Sequence, residues 1–349
     1  ENSGRAQSVQ VRPECWDQIA RHRAVVDTIV RKGIPSYGIT TGVGSQKDFV
    51  VSEGEIAAYN LRLVNAHAAR IPGPVLAPAV VRAALIIMIN EFALGFFGVS
   101  PQLLETMIAA CNDNEMPQID ASGSVGASDL VPLAQMAVWL LNLDAAKAQG
   151  LPKAKETLSL INHNAVTLSL GAFAVVELKQ QLALFDLVGA VTLEGFRGNL
   201  GAMSEAVNQV QKRPGQRASA ALMRHHLKGS KLWSPDAARF IQDPLSFRTL
   251  SQVHGAVGEA ADRMEMIWDQ ELNTVNDNPI IVPDMNGAVS HANMDTTRLT
   301  LALDMMRQAL GKLADLSGER IQKLQWSAFS GLPTGLAEND RAATGVSSS

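Results

Sequence analysis

The feature that most constrains the fold is a long apolar segment, residues 165–193, which contains no proline. Its sequence, AVTLSLGAFAVVELKQQLALFDLVGAVTL, is rich in Ala, Leu, Val and Phe, and it suits a helix in the interior of a bundle. Residues 250–272 and 295–325 have the same character. The sequence therefore predicts an all-α fold built on a bundle of long helices.

Shorter segments also have helical periodicity, and they are residues 14–31, 101–111 and 131–148. Strand patterns are scarce, and only 277–292 predicts a short hairpin or an irregular loop.

The character of the sequence changes near residue 155, where short helices and Gly-rich loops give way to long apolar helices. We therefore predict a smaller, loop-rich N-terminal helical domain over 1–155. Residues 156–349 are predicted to form the long-helix bundle.

Charge and hydropathy argue against two classes of partner. The chain has 349 residues, 18% of them charged, and a net charge of −4 without a basic stripe, so nucleic acid is not expected. The most apolar run, 75–99, carries Arg82, Asn90 and Glu91 near its middle. A buried core helix fits this run better than a membrane span, so no membrane partner is expected.

Cysteine usage is sparse. Cys15 and Cys111 do not make a disulfide framework, and no His/Cys cluster has the spacing of a zinc site. The first fourteen residues contain no apolar stretch typical of a signal peptide. We expect a cytoplasmic protein without a metal.

The stretch PSYGITTGVGSQKDF, residues 35–49, places Tyr37 just before a turn with glycines at 42 and 44. It matches neither a phosphate-binding loop nor a dinucleotide fingerprint. Two interpretations stay open, namely a glycine turn with a packed tyrosine, or a loop tyrosine that acts as a general base.

The stretch GSVGASDLVPLA, residues 123–134, leads from small residues into a helix. Asp129 is predicted at the N-cap or in the first turn, where Pro132 is also tolerated. This pattern fits an ordinary helix start, and it also fits a tight loop with exposed amides.

Two further stretches are unusually polar. In QDPLSFR, residues 242–248, Arg248 is predicted either to clamp a carboxylate or to pair with Asp243. In LINHNAV, residues 160–166, Asn162, His163 and Asn164 interrupt an apolar helix, which predicts a buried hydrogen-bond network.

Together these motifs resemble the histidine, phenylalanine and tyrosine ammonia-lyase family. The matching stretches occur in the family's order and cover nearly the whole chain: SYGITTGVG, LRLVNAHAA, GSVGASDLVPLA, LINHNA, QDPLSFR with SQVHG, ELNTVNDNP and SGERIQKL. The resemblance implies a helical homotetramer whose active sites are shared between subunits and act on a small-molecule substrate. It also implies elimination of ammonia from an α-amino acid, aided by a methylidene-imidazolone that forms from Ala-Ser-Gly in GASGDLxPLA.

The resemblance assigns roles to five residues of this chain. Tyr37 falls on the catalytic base and His67 on a substrate-binding histidine. Asn162 falls on the asparagine beside the cofactor, Gln242 on the glutamine of the QD motif, and Arg248 on the arginine that holds the substrate carboxylate.

Three departures from the family pattern bear on the chemistry. The cofactor triad is here Ala127, Ser128 and Asp129, so its glycine is absent. The tyrosine of QDxYSxR is Leu245, and ANMD at 292–295 lacks the family's aromatic residue and histidine. The chain also ends about where the family's C-terminal helical part is expected to begin.

A lost electrophile favours a substrate whose nitrogen already leaves easily, such as a quaternary ammonium. This combination resembles the ergothionases, which eliminate trimethylamine from the betaine ergothioneine to give thiourocanate. We therefore expect cofactor-free elimination, with Asp48 as a carboxylate that could hold the cationic group. Two alternatives remain, namely a methylidene-imidazolone ammonia-lyase acting on histidine or an aromatic amino acid, and a non-catalytic homologue.

Overall fold

A computed structural model of the protein describes residues 8–113, 115–124, 126–285 and 287–338. Its helices are, in chain order, α1 (Pro13–Arg31), α2 (Ile56–His67), α3 (Pro78–Ala93), α4 (Pro101–Asn112), α5 (Leu130–Asn142), α6 (Asp144–Ala148), α7 (Glu156–Ile161), α8 (Ala165–Phe196), α9 (Glu205–Gln209), α10 (Pro214–His226), α11 (Leu245–Arg248), α12 (Leu250–Glu271), α13 (Thr297–Gln325) and α14 (Ser327–Ser330). The predicted all-α class is confirmed.

The long helices α8, α12 and α13 contain 32, 22 and 29 residues, close to their predicted spans. The single helix expected over 131–148 is instead divided into α5 and α6. Leu143 has an extended backbone, with φ of −63° and ψ of 142°, and this interrupts the helix.

The predicted hairpin is present as two short antiparallel strands, β1 (Ile280–Val282) and β2 (Gly287–Val289). Ile280 lies opposite Val289 in the register. Ile281 is fully buried, and its amide donates to the carbonyl of Phe96 at 2.8 Å. The hairpin is therefore held against the body of its unit.

Contacts divide the chain into two units that differ from the split predicted after residue 155. Among the residues that the structure describes, those within 1–173 and 268–298 form the first unit, and those within 174–267 and 299–349 form the second. Chain segments distant in sequence complete the first unit, and sequence character cannot reveal this. The domain boundary predicted after residue 155 stays a prediction.

Each unit has its own hydrophobic core. In the first unit, α1, the loop that follows it and β1 contribute Val26, Ile29, Ile39 and Ile281. In the second unit, Phe196 and Phe247 stack with their ring centroids 4.0 Å apart. Burial of these apolar side chains is the main force that stabilises both units.

The part of helix α8 that belongs to the second unit is covered on one side only. Ala190 and Leu193 are buried, whereas Val176, Leu184 and Val191 are exposed, so the expected interior helix is only partly realised. The segment 156–196, which includes α8, is long and apolar enough to cross a membrane by length and composition alone. Within the molecule, 61% of its most apolar window is buried, as in core helices of soluble proteins.

Candidate active site

The loop after α1 positions Tyr37 through a compact backbone turn. The carbonyl of Ser36 accepts hydrogen bonds from the amides of Ile39, Thr40 and Thr41, each at 3.1 Å. A single antiparallel bridge between Thr41 and Val50 then closes the segment between them. Gly42 is required inside it, because a Cβ there would lie 2.5 Å from the carbonyl oxygen of Gln46.

Both tyrosines of the chain contact this closed loop. The hydroxyl of Tyr37 accepts a hydrogen bond from the amide of Gly44 at 3.1 Å. The hydroxyl of Tyr59, on α2, accepts one from the neighbouring amide of Val43 at 3.2 Å. Tyr59 was not identified from the sequence, and it lies about two turns before His67 on α2.

Helix α2 and the closed loop line a cavity of about 640 Å³. The polar groups at its wall include Tyr59, Arg62, His67 and Gln46. The Nδ1 atom of His67 lies 2.9 Å from the carbonyl of Leu63, so Nδ1 carries the proton and Nε2 is the acceptor in the neutral ring. Arg62 is a second cavity residue that the sequence analysis did not identify.

Asp48, the predicted carboxylate for a cationic group, lies on the outer part of the loop. Its side chain is 85% exposed and pairs with the ammonium of Lys47. Because an exposed pair of this kind contributes little energy, Asp48 is available for another cation. Its predicted role stays a prediction.

The second loop, which precedes α5, holds Ser128 beside Asn162. Ser128 is buried and has a left-handed backbone, with φ of 72°. Its hydroxyl donates to Oδ1 of Asn162 at 2.8 Å. The side-chain amide of Asn162 donates in turn to the carbonyl of Asn278 at 3.2 Å. The structure thus brings Asn162 and the triad serine together.

Asp129 occupies the N-cap position of α5, as predicted, but its side chain does not cap that helix. Its carboxylate accepts hydrogen bonds from the amide and the hydroxyl of Thr167, both at 2.7 Å. Thr167 lies in the first turn of α8, so the acid satisfies the N-terminus of α8 instead. The amide of Asp129 donates to the carbonyl of His163 at 2.9 Å.

We expected the polar residues Asn162, His163 and Asn164 to interrupt a single helix, and the structure differs. They separate α7 from α8, because Asn162 ends α7 with φ of −101° and ψ of 55°. The expected buried network is present, since the side chain of Asn164 donates to the carbonyl of Met294 at 3.0 Å.

His163 and Glu91 lie side by side in the interior, with Nδ1 and Oε2 3.7 Å apart. Burial lowers the pKa of His163 to about 3. Burial also raises the pKa of Glu91 well above its ordinary value, against the effect of a hydrogen bond from Asn276. The contact therefore joins two groups whose charged forms are disfavoured by burial.

A buried ion pair lies behind the Ser128 loop. Lys155 and Asp277 are both fully buried, and the ammonium of Lys155 contacts a carboxylate oxygen of Asp277. Burial lowers the pKa of Lys155, whereas the Asp277 carboxylate opposes that shift. The burial of this pair could not be predicted from the sequence, because lysine is usually exposed.

The remaining predicted residues, Gln242 and Arg248, lie in the second unit. The Nε atom of Arg248 donates to the backbone carbonyl of Asp243 at 2.7 Å, which orients the guanidinium. The carboxylate of Asp243 accepts from the amide of Asn199 at 2.6 Å, and burial raises the pKa of Asp243. Gln242 is exposed.

No cluster of three or more His, Cys, Asp or Glu side chains able to hold a metal ion occurs among the described residues. A model of the aromatic amino acid lyase family matches residues 2–348. The chain belongs to the aromatic amino acid lyase family. It is a carbon–nitrogen lyase.

Two curated relatives of this lyase are histidine ammonia-lyases. That of Caldanaerobacter subterraneus subsp. tengcongensis is 34% identical over 348 residues, which cover 95% of this chain and 68% of the relative. That of Symbiobacterium thermophilum is 32% identical over 356 residues, which cover 97% of this chain and 70% of the relative.

A solved structure with the same fold is the ergothioneine-degrading enzyme ergothionase from Treponema denticola, in complex with desmethyl-ergothioneine sulfonic acid. The TM-score is 0.90 at 28% sequence identity, and the match covers 97% of this chain and 71% of that one. The helical lyase fold of this chain is therefore shared with an enzyme that degrades ergothioneine.

Proposed function

We propose that this lyase eliminates trimethylamine from a histidine-type betaine, converting ergothioneine to thiourocanate, without a methylidene-imidazolone. The observation that carries the proposal is Asp129, which stands where the family has the glycine of its cofactor triad. Its carboxylate and its amide are both engaged, with Thr167 and His163 respectively.

The residues of the Ser128 loop do not fit ring closure well. Closure would require the amide nitrogen of Asp129 to attack the carbonyl carbon of Ala127, and that amide donates to His163 instead. A side chain at this position crowds the tight turn that glycine permits. The hydroxyl of Ser128, which cyclisation would remove as water, is bonded to Asn162.

A quaternary ammonium substrate makes such an electrophile unnecessary. Acting as a phenolate, the Tyr37 oxygen accepts the β-proton and becomes a phenol, and the electron pair of the C–H bond forms the carbon–carbon double bond. The electron pair of the C–N bond leaves with neutral trimethylamine. Because the nitrogen carries a permanent positive charge, it needs no further activation in order to depart.

The other predicted residues bind the substrate in this proposal. Arg248 holds the carboxylate, His67 and Gln242 contact the remainder, and Asp48 attracts the trimethylammonium group. Because the family's sites are shared between subunits, we propose that Arg248 and Tyr37 meet in a cytoplasmic homotetramer. The exposed apolar face of α8 is the type of surface that subunit contacts cover.

A second function is favoured by the histidine ammonia-lyase relatives, which are more than 30% identical to this chain. In that alternative the loop cyclises despite Asp129, and the enzyme releases ammonia from histidine.

The experiment that separates the two functions is a paired assay of the purified protein with ergothioneine and with histidine. Trimethylamine and ammonia are quantified separately, and Tyr37→Phe serves as the inactive control. The proposal expects trimethylamine from ergothioneine and no ammonia from histidine. Release of ammonia without trimethylamine would support the alternative and contradict the proposal.

A further inference from the structure

We propose that the buried pair of Lys155 and Asp277 positions the Ser128 loop through Asn278 and Asn162. The pair would then act as positioning residues for the site, although neither residue faces the cavity beside His67. The catalytic consequence rests on the function proposed above, whereas the effect on the loop does not.

The two carboxylate oxygens of Asp277 bind different partners. Oδ2 contacts the ammonium of Lys155 and accepts from the hydroxyl of Ser159 at 3.0 Å. Oδ1 accepts from the backbone amide of Asn278 at 2.7 Å. The ammonium thus fixes the carboxylate, and the carboxylate fixes the peptide that follows it.

The second part leads from that peptide to the loop. The carbonyl of Asn278 accepts from the side-chain amide of Asn162 at 3.2 Å, and Oδ1 of Asn162 accepts from Ser128 at 2.8 Å. Asn278 is also anchored on its other side, since its Oδ1 accepts from the amide of His291 at 2.8 Å. A hydrogen bond or an ion pair therefore joins each group to the next one in the series from Lys155 to Ser128.

A buried ion pair is a poor means of gaining stability alone, because desolvation of both charges offsets much of their attraction. Lys155 and Asp277 are both fully buried, and Lys155 has a left-handed backbone with φ of 70°. Well-packed apolar residues of similar volume often replace such a pair without loss of stability. The pair's geometric effect on Asn278 is what an apolar replacement cannot reproduce.

The test is therefore the double variant Lys155→Met/Asp277→Leu, which removes both charges together. The matched control is Lys179→Met/Glu265→Leu, which removes an exposed lysine–glutamate pair in the second unit. Amide hydrogen exchange of the fragment that contains Asp129 is measured by mass spectrometry, together with kcat, KM and the melting temperature.

We expect the buried double variant to stay folded, with exchange in the Asp129 fragment about tenfold faster than in the parent protein. We expect kcat to fall about tenfold with little change in KM, because substrate binding is retained and the site geometry is not. The exposed double variant should change neither the exchange rate of the Asp129 fragment nor kcat.

The single variant Asn162→Asp removes the donor to the Asn278 carbonyl and keeps an acceptor for the Ser128 hydroxyl, and it provides the test if the double variant does not fold. Faster exchange in the same fragment is expected there too. Unchanged exchange in a folded variant of either kind would overturn the proposal. Absence of turnover by the parent protein with ergothioneine would overturn the proposed function instead, and the exchange measurement would still decide the positioning role.

Discussion

The two loops that carry the site residues are held in different ways. In the Tyr37 loop, residues 44–50 are exposed, and the contacts are backbone turns and the two phenol hydroxyls. In the Ser128 loop, Ser128 and Asp129 are buried, and both side chains are hydrogen bonded to groups from distant segments. The Ser128 loop is fixed by the interior, whereas the Tyr37 loop combines a buried inner part, which contains Ile39, with an exposed outer part.

This difference shows where the lyase keeps freedom and where it does not. The outer part of the loop that carries the proposed base is accessible, so this part can adjust to a substrate. The loop that supplies the family's electrophile is instead integrated into the packing around α8. The Asp129 carboxylate anchors this second loop to the first turn of α8 through Thr167.

The largest effect is expected at the accessible loop. Tyr37→Phe should lower kcat about a thousandfold, because it removes the proposed base. The melting temperature should stay the same, since the only lost bond is an exposed one to Gly44. Turnover within threefold of the parent protein would exclude Tyr37 as the base.

The two acids allow a direct comparison of the loops. Asp129→Ala should lower the free energy of unfolding by about 3 kcal/mol, because both donors of Thr167 lose a charged acceptor. Asp48→Ala, at an exposed position, should change it by less than about 0.5 kcal/mol. Urea unfolding measures both values, and equal losses would remove the contrast between the loops.

The buried surroundings of the Ser128 loop should make the protein sensitive to acid. The pKa of His163 is lowered from 6.5 to about 3, so below pH 6.5 the unfolded chain binds a proton that the folded protein excludes. The free energy of unfolding therefore falls as the pH falls from 6.5 towards 3. At pH 5 this loss is about 2 kcal/mol.

His163→Gln should remove this loss of stability at low pH. The pH dependence that remains from Glu91 should have the opposite sign. The raised pKa of Glu91 favours the folded state below pH 4.5, and this contribution is lost as the pH rises through its folded pKa. Unfolding measured at pH 5 and pH 7 tests the prediction, with the exposed His225→Gln as control. An equal pH dependence in the parent and His163→Gln would contradict it.

The smallest effect is expected at the second tyrosine. Tyr59→Phe should lower kcat/KM about fivefold, because it loosens the Val43 amide at the cavity wall without removing the base. A loss as large as that of Tyr37→Phe would make Tyr59 the base and would reverse the assignment of the two phenols.

Much of the fold could be predicted from local patterns. The proline-free apolar segment at 165–193 lies within α8, and the periodic segment at 14–31 corresponds to α1. The break between α7 and α8 could not be predicted, because the partners of its polar residues lie far away in sequence. Asn278 and Met294, which receive hydrogen bonds from Asn162 and Asn164, are examples.

The candidate site was only partly predictable for the same reason. The motifs identified Tyr37, His67, Ser128 and Asn162, because each lies in a stretch that resembles the family. Nothing local distinguishes Lys155 from a surface lysine, since its burial depends on Asp277, more than a hundred residues away.

The measurement that tests the central claim most directly is the intact mass of the purified protein. Our account predicts the mass encoded by the sequence, with Ala127, Ser128 and Asp129 as unmodified backbone. Cyclisation and dehydration of the triad would remove two water molecules, so a mass about 36 Da lower would contradict the account and restore the electrophile.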